Sequence, residues 1–471
     1  MKLFNTETKE KEEIIPSEGN IIRMYTCGPT VYNYAHIGNF RTYVFEDLLR
    51  RSLKFFGMQV IQAMNITDVE DKTIRGALAE KVSLKTFTQK YTTAFFEDLK
   101  ELGIEPVEHY PLATDYIGKM IEIIEKLIQE GVAYKGTDGS IYYNIAKFPS
   151  YGRLSHLQLC DLQAGASKRA AADEYDKEHV SDFALWKMYD PERDGDIFWE
   201  SPFGKGRPGW HIECSAMAMQ ILGYTIDIHV GGVDNMFPHH ENEIAQSEAF
   251  SKQRFVRYWL HVEHLLVEHR KMSKSAGNFY TLRDLLAQGF TGQQVRYMLM
   301  QVHYRTQMNF TLEGLHAAAK SLQRIEDFIL RLKSLHTMGS SGLVEPILKK
   351  THQAFSEALS DDINISLAFG ALFEMIRQLN TLADEEKVSR EDAQKTLDFL
   401  SQIDQVLGVL PLSTKQADLG EDLLLLLGKR EEARVAKNWK EADACRDLLL
   451  SKGFCIEDTP TGARLKKKDI K

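Results

Sequence analysis

Cys27-Gly28-Pro29-Thr30-Val31-Tyr32-Asn33-Tyr34-Ala35-His36-Ile37-Gly38-Asn39 separates two segments of different period. Before it, Ile21-Ile22-Arg23-Met24-Tyr25-Thr26 has the β-branched and aromatic composition of a strand. After it, Tyr43, Val44, Leu48 and Leu49 recur at helical spacing. The stretch is therefore a strand–turn–helix junction. The start of such a helix presents unpaired N–H groups and a partial positive charge, so it accepts a phosphate wherever the turn residues are small. Gly28 and Gly38 supply that room.

Working outward, Met58 to Met64 reads as a second strand, ending in Asn65-Ile66-Thr67-Asp68-Val69-Glu70-Asp71-Lys72. In open α/β sheets ligands bind beyond the carboxyl ends of the strands, which puts Thr67 and Asp68 in one candidate pocket with Cys27. A helix N-cap role for either residue accounts for them equally well. From Thr86 to Glu130 the apolar spacing is helical on both sides of a loop marked by Gly and Pro. Between Ala133 and Ser201, strand-like pieces (Ser140-Ile141-Tyr142-Tyr143 and Ile197-Phe198-Trp199) flank a stretch rich in Ala, Gly, Asp and Lys. This is expected to be an insertion, with Gln163 to Val180 as a mobile surface loop.

Dense signal returns with Arg207-Pro208-Gly209-Trp210-His211-Ile212-Glu213-Cys214, then a strand ending in glycines, Ile226 to Asp234. Pro238-His239-His240-Glu241-Asn242-Glu243 opens a helix on which His239 and Glu243, four apart, share a face. Cys27, Cys214, His239 and Glu243 make a possible zinc set of two thiolates, an imidazole and a carboxylate. Their spacing is unlike a short Cys-x-x-Cys knuckle, and for each cysteine a buried apolar role is the competing account. Lys271-Met272-Ser273-Lys274-Ser275 follows the strand-like Leu265-Leu266-Val267. Its ammonium groups suit charge developing on a leaving polyphosphate, and its glycine-flanked loop suits closure.

At 471 residues the chain allows roughly three domains. With 43% hydrophobic and 27% charged residues it has an ordinary globular composition. A net charge of −9 excludes a chain coated in basic residues, so any nucleic-acid contact must be a local patch. Leu423 to Leu427 is the longest leucine run, far short of the ~20 residues that cross a bilayer. The N-terminus, with Glu7, Glu10, Glu12 and Glu13, is unlike a secretory or transit segment, so a cytoplasmic location is expected. Five scattered cysteines argue against a disulfide framework.

Leu322, Ile325, Phe328, Ile329 and Leu332 form a helix stripe; Phe369, Leu372, Ile376 and Leu379 form another, and Ala393 to Leu407 continues the pattern. A helical bundle is expected, broken at Leu410-Pro411-Leu412-Ser413 and followed by two amphipathic helices and a short mixed piece. Arg430, Arg434, Lys437, Lys440, Arg446 and Lys466-Lys467-Lys468 gather positive charge there. A solvated helix face explains them as well as a nucleic-acid contact does.

Together, His36-Ile37-Gly38-Asn39 and Lys271-Met272-Ser273-Lys274-Ser275 resemble the paired signature of class I aminoacyl-tRNA synthetases. The four candidate metal ligands, with Asp182-Phe183-Ala184-Leu185-Trp186-Lys187, Gly209 to Ser215 and Phe237 to Glu243, resemble the cysteinyl-tRNA synthetase family over almost the whole chain. The resemblance implies an α/β fold: a doubly wound, Rossmann-like parallel-sheet catalytic domain with an insertion, then an α-helical bundle and a small C-terminal module. The expected divisions are 1–132 and 202–260 for the catalytic halves, 133–201 for the insertion and 261–310 for the lysine-loop segment. Residues 311–410 are expected to be the tRNA-binding bundle and 411–471 the anticodon-binding module.

The resemblance further implies ATP, L-cysteine and tRNA(Cys) as substrates, one Zn2+ per chain that binds the substrate thiolate, Mg2+ with ATP, no membrane, and a monomer. It casts His36, Asn39, Lys271 and Lys274 as catalytic. His36, Gly38, Asn39, Gly232, Asp234 and Lys274 would bind ATP, and Thr67 and Trp210 would line the amino-acid pocket. Three departures stand out: Asn39 replaces the signature's final histidine, His269 and Arg270 add charge before the lysine loop, and Arg464-Leu465 replaces an aromatic position. Two rivals stay open: a paralogous ligase that transfers cysteine to an amino sugar, and a catalytically silent RNA-binding protein.

Overall fold

Four parallel strands end along one edge of a sheet, and that edge organises the molecule. In the computed structural model, which describes residues 1–157, 182–273, 277–337, 339, 341–412, 421–459 and 462–467, the strand order is Val256–Val262, Ile226–Gly232, Ile21–Thr26, Gln59–Met64. Thr26 pairs with both Met64 and Val230, and Val262 pairs with Gly232, so the four carboxyl ends lie side by side. Cys27, Asn65, Thr67 and Asp234 all follow from that edge. Ile22, Met24, Ile228, Val230 and Leu260 are fully buried, as strands covered on both faces require.

The first strand feeds the helix Ile37–Phe55 through the signature turn. His36 is the N-cap: its Nδ1 accepts from Asn39 N (3.2 Å), and Asn39 Oδ1 accepts from His36 N (3.1 Å), a reciprocal capping box. The helix buries Phe40, Val44, Leu48, Leu49 and Leu53 in the main core.

Three expectations are corrected here. Neither Thr67 nor Asp68 caps the next helix, Asp71–Glu80; Glu70 does, accepting from Lys72 N. Asp68 instead accepts from Thr114 N (2.9 Å) and Thr114 Oγ1 (2.6 Å), holding a crossing loop. The insertion is a four-stranded antiparallel sheet of Ala133–Lys135, Ile141–Tyr143, Phe183–Met188 and Gly206–Pro208, so it runs past Ser201. Ile197-Phe198-Trp199 is not a strand. Trp199 makes one bridge to Gly206, because the chain reverses between them in a turn closed by Ser201 Oγ on Gly204 O (2.6 Å). The stretch Gln163 to Val180 lies outside the described residues.

Helices Leu312–Lys333, Val344–Ser360, Ile365–Asp384 and Arg390–Leu407 form the bundle. The second of these had escaped the stripe analysis. Arg296, fully buried, ties the bundle to the catalytic part: it pairs with Asp47 (2.5 Å) and donates to the carbonyls of Leu407 (2.9 Å) and Leu102 (3.4 Å). Helices Glu421–Val435 and Trp439–Ser451 and a hairpin of Phe454–Thr459 and Gly462–Lys467 complete the chain.

Candidate active site

Cys27 follows the first strand directly, its N–H on Val230 O (3.2 Å). The turn can pass so near the next strand because residue 28 is glycine: a Cβ there would lie 1.8 Å from Asn65 O. Cys214 sits in the helix Trp210–Leu222, entered through Gly209, where a Cβ would meet Ala184 O at 2.0 Å. His239 and Glu243 flank the junction between the turn Met236–His240 and the helix Glu241–Ser251. All four are buried, and their donor atoms lie within 4.8 Å of one another.

The charges of this quartet are interlocked. A hydrogen bond from Cys27 holds the Cys214 thiol down at about 6 against the effect of burial, with His239 assisting. The same hydrogen bond and burial push Cys27 well up. Burial would raise the Glu243 carboxyl, but His229 and His239 override it and hold it at about 2. Burial would lower His239, yet Cys214 and Glu243 raise it to about 10. His239 Nε2 lies 3.1 Å from Glu243 Oε1, which makes no hydrogen bond, and His239 Nδ1 meets His211 Nδ1 at 2.9 Å. Two soft donors, an imidazole and a bare carboxylate oxygen, dry and already charge-separated, fit a zinc ion.

Trp210, 39% exposed, stacks on the His239 ring (centroids 4.2 Å, 26°) and so covers the outer side of the quartet. Thr67 is buried at the end of the second strand; its Oγ1 accepts from Asn65 Nδ2 (3.0 Å) and its N–H donates to Pro29 O (3.0 Å).

The nucleotide side lies at the same edge. Because His36 Nδ1 is an acceptor, the neutral ring carries its proton on Nε2 and presents a donor. Burial keeps this imidazole below its usual range, with Asp234 opposing. Ile37 N donates to Tyr280 O (3.0 Å), and His36 bridges Thr281, so the segment beyond the lysine loop is sewn onto the signature turn. A Cβ on Gly38 would meet Met272 Cε at 2.7 Å; one on Gly232 would meet Asp234 Oδ1 at 2.4 Å. Lys271 is exposed at the end of a short strand paired with Leu265–Val267. Asn278 accepts from Ser273 N (2.9 Å) and donates to Lys271 O (3.2 Å), closing the loop's base. Lys274 and Ser275 lie outside the described residues.

Sequence reasoning missed three buried histidines, His229, His240 and His261, packed around the quartet. His229 and His261 are single histidines within strands and His240 merely follows His239 at the start of a helix, so none carries a periodic signal. It also missed Arg283, which pairs with Glu97 (2.7 Å) and Asp98 (3.2 Å) and lies over the Tyr34 ring (5.2 Å) beside the signature turn.

A family model of the tRNA synthetases class I (C) catalytic domain matches residues 13–320, and a DALR domain model matches residues 354–411. A cysteine–tRNA ligase of Protochlamydia amoebophila is 58% identical over 468 residues, covering 99% of this chain and 98% of that protein. One from Chlamydia muridarum is 57% identical, covering 99% of each. Among solved structures, Mycobacterium tuberculosis methionyl-tRNA synthetase in complex with methionyl-adenylate matches with a TM-score of 0.60 at 13% identity, over 83% of this chain and 92% of that one. A putative arginyl tRNA synthetase from Campylobacter jejuni matches with a TM-score of 0.56 at 13% identity, over 83% and 93%. At that identity the likeness shows a shared fold.

Proposed function

The chain belongs to the cysteine–tRNA ligase family of class I tRNA synthetases, and from that premise we propose that it activates L-cysteine with ATP and transfers it to tRNA(Cys). The observation that carries this reading is the dry quartet of Cys27, Cys214, His239 and Glu243 at the sheet edge that also bears the capped His36 turn. Full-length coverage by cysteine–tRNA ligases, bundle included, supports tRNA as acceptor over an amino sugar. The described part of the signature and the intact quartet favour an enzyme over a silent RNA-binding protein.

In the first step the cysteine carboxylate attacks the α-phosphate of ATP and pyrophosphate leaves; in the second the cysteinyl group passes to the terminal ribose of the tRNA. The work is mostly positioning and charge stabilisation. His36 Nε2–H and the positive end of the helix Ile37–Phe55 meet the phosphates, while Gly38 and Gly232 keep the nucleotide's path clear. Asp234 lies on the adenosine side. Lys271 and Lys274 offset charge on pyrophosphate, and Mg2+ accompanies ATP.

A zinc ion held by the quartet would supply a sulfur-preferring Lewis acid for the substrate thiolate. Shape alone separates near-isosteric side chains by ~1–3 kcal/mol, whereas ~10⁴-fold discrimination takes ~5.5 kcal/mol. Trp210 and Thr67 orient the amino acid beside it. We assign residues 1–132 and 209–260 to the catalytic domain, 133–208 to the insertion, 261–310 to the lysine-loop segment, and 311–410 and 411–471 to tRNA binding, in a monomer. Arg434, Lys437 and Lys440 supply phosphate contacts, so tRNA affinity falls with salt; Arg430, expected with them, is buried and pairs with Glu431 instead. Among the described residues no helix is long and apolar enough to cross a membrane. Charging of purified tRNA(Cys) with cysteine and ATP, with no small amine present, tests the reading; absence of cysteinyl-tRNA contradicts it.

A further inference from the structure

We propose that the chain holds a second, inner metal site, made by Cys27, His229, His240 and Glu243, which takes a Zn2+- or Cd2+-like divalent ion and shares Cys27 and Glu243 with the outer quartet. The inference rests on the outer quartet being a zinc site. The donor atoms of these four buried residues also lie within 4.8 Å of one another.

The two quartets divide the shared ligands between them. Glu243 Oε1 faces His239 Nε2 at 3.1 Å, while Oε2 faces His229 Nε2 at 3.0 Å. A carboxylate turned this way presents one oxygen to each site, the arrangement that bridges two ions. Cys27 Sγ lies 3.3 Å from His240 Nε2, and a thiolate has lone pairs enough for two metals. Cys214 and His239 belong to the outer set alone, His229 and His240 to the inner set alone.

The inner set is supported like a ligand site. His240 Nδ1 meets His261 Nε2 at 2.8 Å, and His261 Nδ1 meets Thr6 Oγ1 at 2.8 Å. With Thr6 as acceptor this chain leaves His240 Nε2 a bare lone pair aimed at Cys27, the outer hydrogen bond that metal-binding histidines ordinarily have. Trp259 stacks on His229 (centroids 4.6 Å, 22°) and shields it from water. Gly231 makes room: a Cβ there would lie 2.7 Å from His240 Cε1. Orienting Glu243 would take His229 alone; it does not explain why His240 is fixed against Cys27. An inner ion would draw donation from Cys27 and Glu243, so excess metal would weaken cysteine binding at the outer site.

The test is equilibrium dialysis of the full-length chain against rising Cd2+, with metal analysis and cadmium NMR. Wild type should saturate at two ions per chain, the second more weakly held, with two resonances. His240→Gln and His229→Gln should each keep the first ion and lose the second, and Cys214→Ala should lose the first and keep the histidine-dependent one. Saturation of wild type at one ion overturns the inner site without recourse to any variant, as does a second ion that survives in both folded histidine variants. If Cys214→Ala still binds two ions while the histidine variants bind one, the outer assignment fails and the inner one stands.

Discussion

His36 serves two partners with one ring. Its Nδ1 is occupied by Asn39 N, and that occupancy is what turns Nε2–H outward as a donor. Asn39, standing where the signature has a histidine, returns a hydrogen bond from its side-chain oxygen to His36 N, a structural use that needs an amide oxygen and no charge. Asn39→Ala should lower stability by about 1 kcal/mol, as loss of a capping partner does, and raise KM for ATP more than KM for cysteine, as measured by urea unfolding and pyrophosphate exchange. Buried His261 sets a second test. Burial and His229 hold its imidazole down at about 3, so below the unfolded value near 6.5 the unfolded chain binds a proton that the native chain refuses. Its contribution to stability is present above pH 6.5 and is lost as pH falls towards 3. In metal-free protein, His261→Asn should flatten the decline of the urea midpoint over that window; an unchanged slope contradicts it. At this scale the buried quartet of Cys27, Cys214, His239 and Glu243 was legible, because thiols and an i, i+4 His–Glu pair are chemically specific types. The histidines behind them were not, since burial and mutual distance decide their role.

At the scale of elements, the strand–turn–helix junction was legible from a change of period, and capping and turn chemistry were harder to read. Glu70 rather than Thr67 or Asp68 starts a helix because Asp68 is taken up by Thr114, a contact 46 residues away. The clamp by Arg283 is equally non-local. This residue, on the helix Leu282–Ala287 just beyond the lysine loop, reaches Glu97 and Asp98 on the helix Leu84–Glu101 and covers Tyr34. It holds the loop's far anchor against the signature turn. Arg283→Met should raise KM for ATP several-fold in pyrophosphate exchange while leaving KM for cysteine near wild type, and Arg283→Lys should rescue little, since one ammonium cannot serve both carboxylates and the ring. Equal changes in both KM values would show general loosening instead.

For the whole molecule, the question is how the bundle is registered on the catalytic sheet. Arg296 answers most of it, since one buried guanidinium joins Asp47 on the signature helix to the end of the helix Arg390–Leu407. Removing one partner of a buried pair costs about 3–5 kcal/mol. Arg296→Leu should therefore lose stability on that scale in urea and, if the bundle then moves, lose tRNA charging before it loses pyrophosphate exchange. The order of parts was legible from composition and stripes; their joints were not, because a single arginine in a helix stripe reads as surface.

The central claim is that the quartet selects cysteine by its metal. It is tested most directly by pyrophosphate exchange with cysteine and with serine, alongside zinc content, for wild type and Cys214→Ser. The prediction is exchange with cysteine only, lost together with zinc in the variant. Exchange that persists with the same preference after zinc is gone would contradict it.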